Sequence, residues 1–293
     1  MIEIRDLQLL SALARHRHFA KAAEECGISQ PAFSMRIRNL EDRLGVSIVR
    51  RANRFQGLTE EGEMIVQRAR RILDDTKALE QQVLAAKGEI TGTLILGVIP
   101  TAIAFTGRLI KRLRDAHPRI ITRIETMSAS AIQHRLDEGS LDAGITYGDS
   151  IGTDLRQVQP LYEETYVLLV PSHMTDETGP IPWARVADFP LSLLEPQMQN
   201  RRILDHVFEK QGLHPDVVAE TSGFTASMVM AREGLAATVV PRVLVRALGE
   251  LKGTKVLPLI DPVVSKPICL ATLSRDPELP TVRALRVVVT SLR

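Results

Sequence analysis

The chain has 293 residues, of which 44% are hydrophobic and 25% charged, and its net charge is +2. This length is typical of two or three compact units, and the apolar content excludes a chain that is disordered throughout. No apolar run reaches the ~18 residues that cross a bilayer, and the amino-terminal segment lacks a signal-peptide cleavage site, so no membrane association is expected.

The first 45 residues carry the pattern of three short helices. Apolar residues recur every three positions over 4–13, and a second helical segment covers 19–26. Ser29 is a good N-cap and Pro31 a good first-turn residue for a third helix, which continues until Gly45. A helix, a turn and a capped second helix form a helix-turn-helix, whose second helix enters the DNA major groove.

Charge is unevenly distributed along the chain. Residues 1–58 contain ten basic and six acidic side chains, a net charge of +4, and the remainder carries −2. A basic amino-terminal region on a faintly acidic body suggests that this region meets a polyanion. The alternative to a polyanion partner is a chance excess of basic residues on a solvent-exposed face.

A wing and a long helix follow. The segment 49–59 is predicted to be a two-stranded wing with its tip near 52–54, and Thr59 begins a helix that extends to Lys87. Along this helix, residues at alternating intervals of four and three form a heptad seam: Ile65, Ala69, Ile72, Thr76, Leu79, Val83 and Ala86. The seam predicts pairing with a second copy of the chain, and a core helix within one domain is the alternative.

After a linker at 88–93, strands and helices alternate. The predicted strands are 94–99, 120–125, 143–147, 165–171, 191–195, 216–220, 236–240, 255–259 and 267–273. The predicted helices are 107–116, 130–138, 200–211, 225–232 and 281–292. Nearly continuous apolar strands separated by helices predict parallel sheets covered on both faces. Two extended crossings, near 164–170 and 263–272, would join two α/β lobes around a cleft.

The amino-terminal motif resembles the winged helix-turn-helix of LysR-type transcriptional regulators. Its spacing is met without a gap over about 45 residues, and these residues match: Phe19, Ala22, Ala23, Ser29, Gln30, Pro31, Ala32, Ser34, Ile37, Leu40, Glu41, Leu44, Gly45, Arg51, Leu58, Thr59, Gly62 and Glu63. The chain departs from the family pattern at His18, a weaker cap than serine, at Cys26 and at Met35.

The resemblance implies a fold with three parts. These are an all-α-dominated winged helix-turn-helix at 1–58, a dimerising linker helix at 59–88 and a two-lobed α/β effector-binding domain, like periplasmic binding proteins, at 89–293. Lobe I is expected at about 89–163 and 268–293, and lobe II at about 164–267.

The resemblance also implies a function. We expect a cytoplasmic, sequence-specific DNA-binding regulator that controls a metabolic operon in response to a small anionic metabolite. Its expected partners are promoter DNA, the effector, RNA polymerase and further copies of the chain, as a homodimer through the linker helix and a homotetramer. Catalytic residues, metal ligands and cofactors are not expected.

The third helix offers a face for reading DNA. Gln30, Ser34 and Arg38 lie four residues apart, so their polar groups can reach base edges together. The full set of predicted DNA contacts includes wing arginines placed for phosphates: Ser29, Gln30, Pro31, Ser34, Met35, Arg36, Arg38, Arg50, Arg51 and Arg54. An ion pair of Arg38 with Asp42, and a pairing of Arg51 within the wing, are the structural alternatives.

Effector contacts are expected where strands end and helices begin, because free backbone N–H groups and helix dipoles meet there. Thr101 and Ser128 are carried over from the resemblance. The predicted set is Pro100, Thr101, Ala102, Ser128, Ser130, Asn200, Arg201 and Ser222. Helix capping by the hydroxyl residues, and simple solvation of Arg201 and its neighbour Arg202, are the alternatives.

The sequence disfavours two other classes of function. An enzyme is disfavoured because no phosphate-binding loop, nucleophile elbow or metal-ligand cluster is present and the seven histidines are scattered. A cysteine-based redox sensor would need Cys26, in the DNA-binding region, and Cys269, in an apolar strand. Their separation favours two inert thiols, and a reducing compartment fits so few cysteines.

Overall fold

The computed structural model describes residues 1–51, 55–86, 88–152, 156–274 and 277–292. The chain divides into two compact units, one of residues 1–89 with 277–280 and one of residues 90–276 with 281–293. Within the described residues, no helix combines the length and the apolar character that crossing a bilayer requires.

The first unit is a helical bundle with a small antiparallel wing. Its elements are α1 (Ile4–His16), α2 (Phe19–Glu25), α3 (Gln30–Leu44), β1 (Val49–Arg51), β2 (Phe55–Leu58) and α4 (Glu60–Ala85). The predicted helices are therefore present, and the predicted wing tip at 52–54 lies outside the described residues. His18 does cap α2, through an Nδ1 that accepts from the Lys21 N–H at 3.4 Å.

Aromatic and aliphatic side chains from all three early helices form the core of this unit. Phe19 packs edge-on against both Phe33 of α3 and Phe55 of the wing, with ring centroids 6.0 and 6.2 Å apart. At the base of the wing, Gly62 lets α4 begin close to β1, since a Cβ there would collide with the carbonyl oxygen of Ile48. The three early helices, the wing and the start of α4 therefore pack together as one body.

The long helix α4 leaves much of its predicted seam uncovered. Ala69 is buried, whereas Ile72, Leu79 and Val83 are 45%, 62% and 51% exposed. These three residues form an apolar stripe on the outer surface of α4, which is named the α4 stripe below. A stripe of this spacing on an otherwise polar helix is typical of helices that pair.

The rest of the chain alternates strands and helices. Its strands are β3 (Gly92–Val98), β4 (Ile120–Thr126), β5 (Ala143–Tyr147), β6 (Arg156–Pro171), β7 (Ile181–Pro182), β8 (Leu191–Leu194), β9 (Val217–Thr221), β10 (Thr238–Pro241), β11 (Thr254–Ile260) and β12 (Ser265–Leu273). Its helices are α5 (Ile103–Ala116), α6 (Ala129–Asp137), α7 (Trp183–Val186), α8 (Gln199–Lys210), α9 (Phe224–Arg232), α10 (Arg242–Leu248) and α11 (Pro280–Ser291), with a short 3₁₀ turn at Pro100–Ala102.

Two long strands, β6 and β12, connect the lobes, which confirms the predicted two-lobed α/β architecture. The main strand order is β4-β3-β5-β12-β6-β11-β7, with β10 also on β6, and β8 pairs with β9 separately. β4, β3 and β5 are parallel, but β12 runs antiparallel to both β5 and β6. The expectation of wholly parallel sheets was wrong, because a chain that crosses between lobes twice must return in the opposite direction.

The sheet is also less covered than predicted. Strand β4 lies at an edge, and Ile121 and Ile124 on it are 69% and 40% exposed. The short elements α7, β7 and α10 were not predicted, because two to seven residues are too few to display a helical or strand period.

Candidate nucleic-acid interface and ligand pocket

Helix α3 is held by its apolar face and presents a polar one. Phe33, Ile37 and Leu40 are fully buried in the core of the first unit. Ser29 caps the helix, its Oγ accepting the Ala32 N–H at 3.4 Å. The outward residues of the predicted contact set are exposed, namely Ser29, Gln30, Pro31, Met35 and Arg38. The polar residues of α3 that would read DNA therefore face away from the hydrophobic core, and the packing of the apolar face holds the helix in place.

Two of the predicted base-reading side chains are already linked. Gln30 Nε2 donates to Ser34 Oγ at 2.9 Å, which fixes the amide along the helix face. Arg38, by contrast, has no ion pair or hydrogen bond from its guanidinium within the described residues, so the alternative pairing with Asp42 is not seen there. A free guanidinium beside an ordered amide suits bidentate contacts with guanine and adenine. Met35 is 60% exposed and offers an apolar contact for a thymine methyl.

Arg36 is placed differently from Arg38. Its guanidinium lies 3.0 Å from Glu3 Oε2 and 3.8 Å from Asp6 Oδ1. Asp6 is 2% exposed and also pairs with Arg43, so these contacts tie α1 to α3. The geometry gives Arg36 a structural partner, and its DNA contact stays a prediction.

The wing supplies the remaining predicted contacts. Arg50 is exposed on β1, and β1 pairs antiparallel with β2 through Val49 and Leu58. The side chain of Arg51 and all of Arg54 lie outside the described residues. Glu41 of α3 fixes the base of the wing, because its buried carboxylate accepts the N–H groups of Ile48 and Val49 at 2.8 and 3.1 Å.

A small pocket lies where the two lobes of the second unit meet. It is about 20 Å³ in volume, room for a water molecule, and its walls are mostly apolar. Its lining residues are Ile99, Pro100, Thr101, Ser128, Ala129, Tyr147, Leu194, Met198, Gln199 and Asn200. They come from the ends of β3, β5 and β8 and from the starts of α6 and α8, as expected of a strand-end cleft. This cavity is called the interlobe pocket below.

Asn200 is the most informative residue of the interlobe pocket. Its side chain is 4% exposed, yet neither its amide nitrogen nor its amide oxygen has a hydrogen-bond partner. A buried amide left unsatisfied costs about 1–3 kcal/mol per group, so such a group marks a place for a ligand or an ordered water. The Asn200 amide can donate and accept hydrogen bonds, and it therefore fits a ligand that carries both an acceptor and a donor.

A buried hydrogen-bond network lies behind this pocket. The Tyr147 hydroxyl lies 3.4 Å from Thr101 Oγ1 and donates to Glu164 Oε1 at 3.0 Å. Tyr166 donates to the same oxygen at 2.8 Å, and Glu164 Oε2 has no partner. Burial raises the pKa of Glu164 to about 7, although the hydrogen bonds it accepts act in the opposite direction. The carboxyl is therefore partly protonated near neutral pH.

The structure brings together four of the eight predicted effector residues. Pro100, Thr101, Ser128 and Asn200 line the interlobe pocket. Ala102 is fully buried, Ser222 is exposed away from the lining, and Ser130 lies beside the pocket with its Oγ 3.1 Å from that of Ser128. Ser128 also caps α6, accepting the Ala131 N–H at 3.2 Å, so the capping alternative holds alongside the lining position. As ligand contacts, all eight remain predictions.

The guanidinium of Arg201 is paired within the protein. Its guanidinium pairs with Asp205 Oδ1 at 2.7 Å and Glu220 Oε1 at 2.9 Å, and it donates to the Leu194 carbonyl at 2.9 Å. Its side chain thus joins α8 to β9 and is not merely solvated, and its part in effector binding stays a prediction. Sequence reasoning missed Tyr147, Met198 and Glu164, whose places depend on pairing between distant strands.

Neither cysteine lies in the interlobe pocket. Cys26 is half-buried beside α2, where burial raises the pKa of its thiol, and Cys269 is 5% exposed in β12. A raised pKa keeps a thiol protonated and therefore slow to react with oxidants. The pocket offers a ligand hydrogen bonds and helix N-termini rather than thiol chemistry.

Comparison with known families covers nearly the whole chain. Residues 4–63 match the family described as bacterial regulatory helix-turn-helix protein, lysR family, and residues 87–292 match the LysR substrate binding domain.

Individual relatives agree with this assignment. The hydrogen peroxide-inducible genes activator of Haemophilus influenzae is 30% identical over 280 residues, which cover 92% of this chain and 90% of that protein. A full-length OxyR variant from Pseudomonas aeruginosa has a TM-score of 0.76 at 26% identity, over 100% of this chain and 95% of that one. The regulator CbnR, solved in complex with its target DNA, has a TM-score of 0.67 at 20% identity over the full length of both, a likeness of fold alone.

Proposed function

The chain belongs to the LysR family of bacterial transcriptional regulators, which are DNA-binding proteins rather than enzymes, and we propose that it controls a metabolic operon in response to a small metabolite bound in the interlobe pocket. The observation that supports this proposal is the unsatisfied amide of Asn200, buried among residues from both lobes. A ligand larger than a water molecule needs the lobes to move apart at this pocket. By pairing with the Asn200 amide it would contact α8 and the strand ends of the other lobe together, and so favour one arrangement of the lobes.

The proposed effector is a small anion, such as a carboxylate, that also carries a hydrogen-bond donor. The starts of α6 and α8 line the pocket, and α8 has no side-chain cap, so free N–H groups and the positive ends of two helix dipoles face the ligand. No lysine or arginine is among the lining residues. Protonation of Glu164 removes a buried negative charge behind the pocket, which favours an anion further.

Peroxide sensing is the second candidate, because a peroxide-inducible activator is among the relatives. The positions of this chain's cysteines argue against it. Its two cysteines lie in different units, Cys269 is buried in a strand, and neither lines the interlobe pocket. Regulation by a reversibly bound metabolite fits the observed chemistry better.

The DNA-binding proposal places α3 in the major groove with Gln30, Ser34 and Arg38 at base edges, and the wing on the phosphate backbone. The proposed assembly is a homodimer through α4 and a homotetramer of two such dimers, with RNA polymerase as a further partner at the promoter and a cytoplasmic location with the DNA. The proposed domains are 1–58, 59–88 and 89–293, with lobe I at about 89–163 and 268–293 and lobe II at about 164–267.

A thermal-shift screen of the full chain with small carboxylates tests the effector proposal. A ligand at 100 times its dissociation constant should add about 2.7 kcal/mol to the free energy of unfolding. Asn200→Leu, which keeps the number and branching of the side-chain heavy atoms but removes the amide, should abolish the shift. Lys210→Gln, exposed at the far end of α8, is the control and should retain it. If every stabilising carboxylate acts equally on Asn200→Leu, the effector does not bind in the interlobe pocket.

A further inference from the structure

A second, larger cavity lies in the second unit, away from the interlobe pocket. It has a volume of about 200 Å³ and is formed by β6, α7, α10 and β11 with the segment that follows β11. Its lining residues are Thr165, Tyr166, Trp183, Arg242, Pro258, Leu259, Ile260, Val263 and Val264. None of them lines the interlobe pocket.

The walls of this cavity are apolar and well fixed. Trp183 is fully buried and its Nε1 donates to the Pro262 carbonyl at 2.9 Å, which holds the indole in place. Leu259 is 6% exposed behind it, and Val263, at 69% exposed, stands at the surface. An apolar group could therefore enter from solvent and pack on an ordered aromatic wall.

A single cation faces these walls. The Nε of Arg242 is buried and has no hydrogen-bond partner, and within the described residues its guanidinium forms no ion pair. Arginine is placed in this way where a planar acceptor is to be bound, because its fork matches a carboxylate with two hydrogen bonds. The buried Nε–H of Arg242, beside this cavity, would be better stabilised by an anion than by apolar walls.

We propose that this cavity is a second ligand site, specific for a small carboxylic acid with an apolar body. A cavity of about 150 Å³ admits benzene, so about 200 Å³ admits a ring with a short carboxylate arm. The carboxylate pairs with Arg242, and the ring packs against Trp183 and Leu259. The site does not depend on the effector proposed for the interlobe pocket.

The position of Arg242 connects this second site to the rest of the fold. It is the first residue of α10, and Leu244 and Val245 of that helix pack in the core cluster that includes Met198 of the interlobe pocket. Tyr166 lines the cavity and donates to Glu164. A ligand here therefore contacts β6 and α10, which pack beside Glu164 and Met198 respectively.

The test uses the full chain, phenylacetate as the probe and the emission of Trp183, which is the only tryptophan of the sequence. Phenylacetate should change this emission saturably, whereas 2-phenylethanol, which has a similar shape without the charge, should bind roughly tenfold more weakly. Arg242→Met should weaken phenylacetate binding by a similar factor, and Arg242→Lys should keep part of it. Arg246→Met, on the exposed side of the same helix, is the matched control and should bind as the wild type does.

The same measurement on Asn200→Leu separates the two sites. Its Trp183 response to phenylacetate should equal that of the wild type, even where its response to the effector is lost. Absence of a Trp183 response in the wild type, equal binding of the neutral alcohol, or unchanged affinity in a folded Arg242→Met variant would each overturn the proposal. Circular dichroism and thermal unfolding of each variant establish that it is folded.

Discussion

Glu164 is a carboxyl group whose burial favours the protonated form near neutral pH. It is 1% exposed, accepts hydrogen bonds from Tyr147 and Tyr166, and leaves Oε2 unpartnered. Among the described residues, the titratable groups that act on it are these tyrosines and Tyr162, and none of them is a cation. Its pKa is raised to about 7 by burial, and the protonated form is therefore the one that folding favours.

This state predicts a pH dependence of stability. Because the pKa is higher in the folded protein than the ordinary value of 4.5, the contribution of Glu164 is fully present below pH 4.5 and is lost as the pH rises through about 7. Glu164→Gln should remove that loss and be more stable than the wild type at pH 8, by on the order of 3 kcal/mol, with little difference at pH 4.5. Urea unfolding at both pH values, with the exposed Glu163→Gln as control, measures it. A wild-type chain that gains stability relative to Glu164→Gln between pH 5 and 8 contradicts the prediction.

Arg36 and Arg38 form a matched pair for testing the recognition face. Arg38 is unpaired within the described residues, whereas Arg36 contacts Glu3 and Asp6. Arg38→Ala should lose about 1–3 kcal/mol of specific DNA binding and relax the preference at one base pair. Arg36→Ala should lower the free energy of unfolding and leave base preference unchanged. Mobility-shift titrations against the operator and single-base variants measure both, and wild-type specificity in Arg38→Ala would remove it from the recognition set.

The sequence predicted some of the residues at the two cavities and missed others. Thr101 and Asn200 were predicted because each follows a strand, and strand ends meet at one edge of a sheet. Glu164 and Arg242 were not, since their burial depends on β6, α10 and β11 meeting across long stretches of chain. Periodicity reports which face of a segment is apolar, but not which distant segment covers it.

Among the elements, the junction of α3 and the wing depends on one side chain. Glu41 is 8% exposed and accepts the N–H groups of Ile48 and Val49. Glu41→Ala would leave both buried donors unpaired, and it should lower the free energy of unfolding by about 2–4 kcal/mol. Glu41→Gln keeps an acceptor and should lose less. Chemical denaturation of the full chain compares them, and an equal loss in both variants would show that the charge matters rather than these two hydrogen bonds.

Helix starts were well predicted from sequence, because their capping chemistry is local. Ser29, Thr59 and Ser128 each accept an N–H at the start of α3, α4 and α6. Strand direction was not predicted correctly for β12, since an apolar strand reads the same in parallel and antiparallel pairing. Elements as short as α7 have no period to recognise. The sequence therefore predicted the local geometry, but not the direction of every strand or the elements too short to show a period.

At the scale of the whole molecule, the α4 stripe supports the proposed dimer. The α4 stripe, Ile72, Leu79 and Val83, exposes large apolar side chains on a helix of 26 residues, about 39 Å long. In a single chain these side chains are left in water, and pairing with a second α4 would bury them at about 25 cal/mol per Å². In the proposed dimer, α4 would join two DNA-binding regions.

The last prediction follows from this stripe. Ile72→Asp places a charge at the centre of the proposed seam, where pairing would bury two like charges, and it should shift the full chain toward monomers. Because Ile72 is 45% exposed in the single chain, the fold itself should survive. Gln67→Asp, exposed and off the stripe, is the control and should assemble as the wild type does. Sedimentation velocity measures the mass, and footprinting measures the protection of two half-sites about 10 base pairs apart, or a multiple of that, as two-fold symmetry requires. An Ile72→Asp chain that keeps the wild-type mass and protects both half-sites would show that α4 does not carry the dimer.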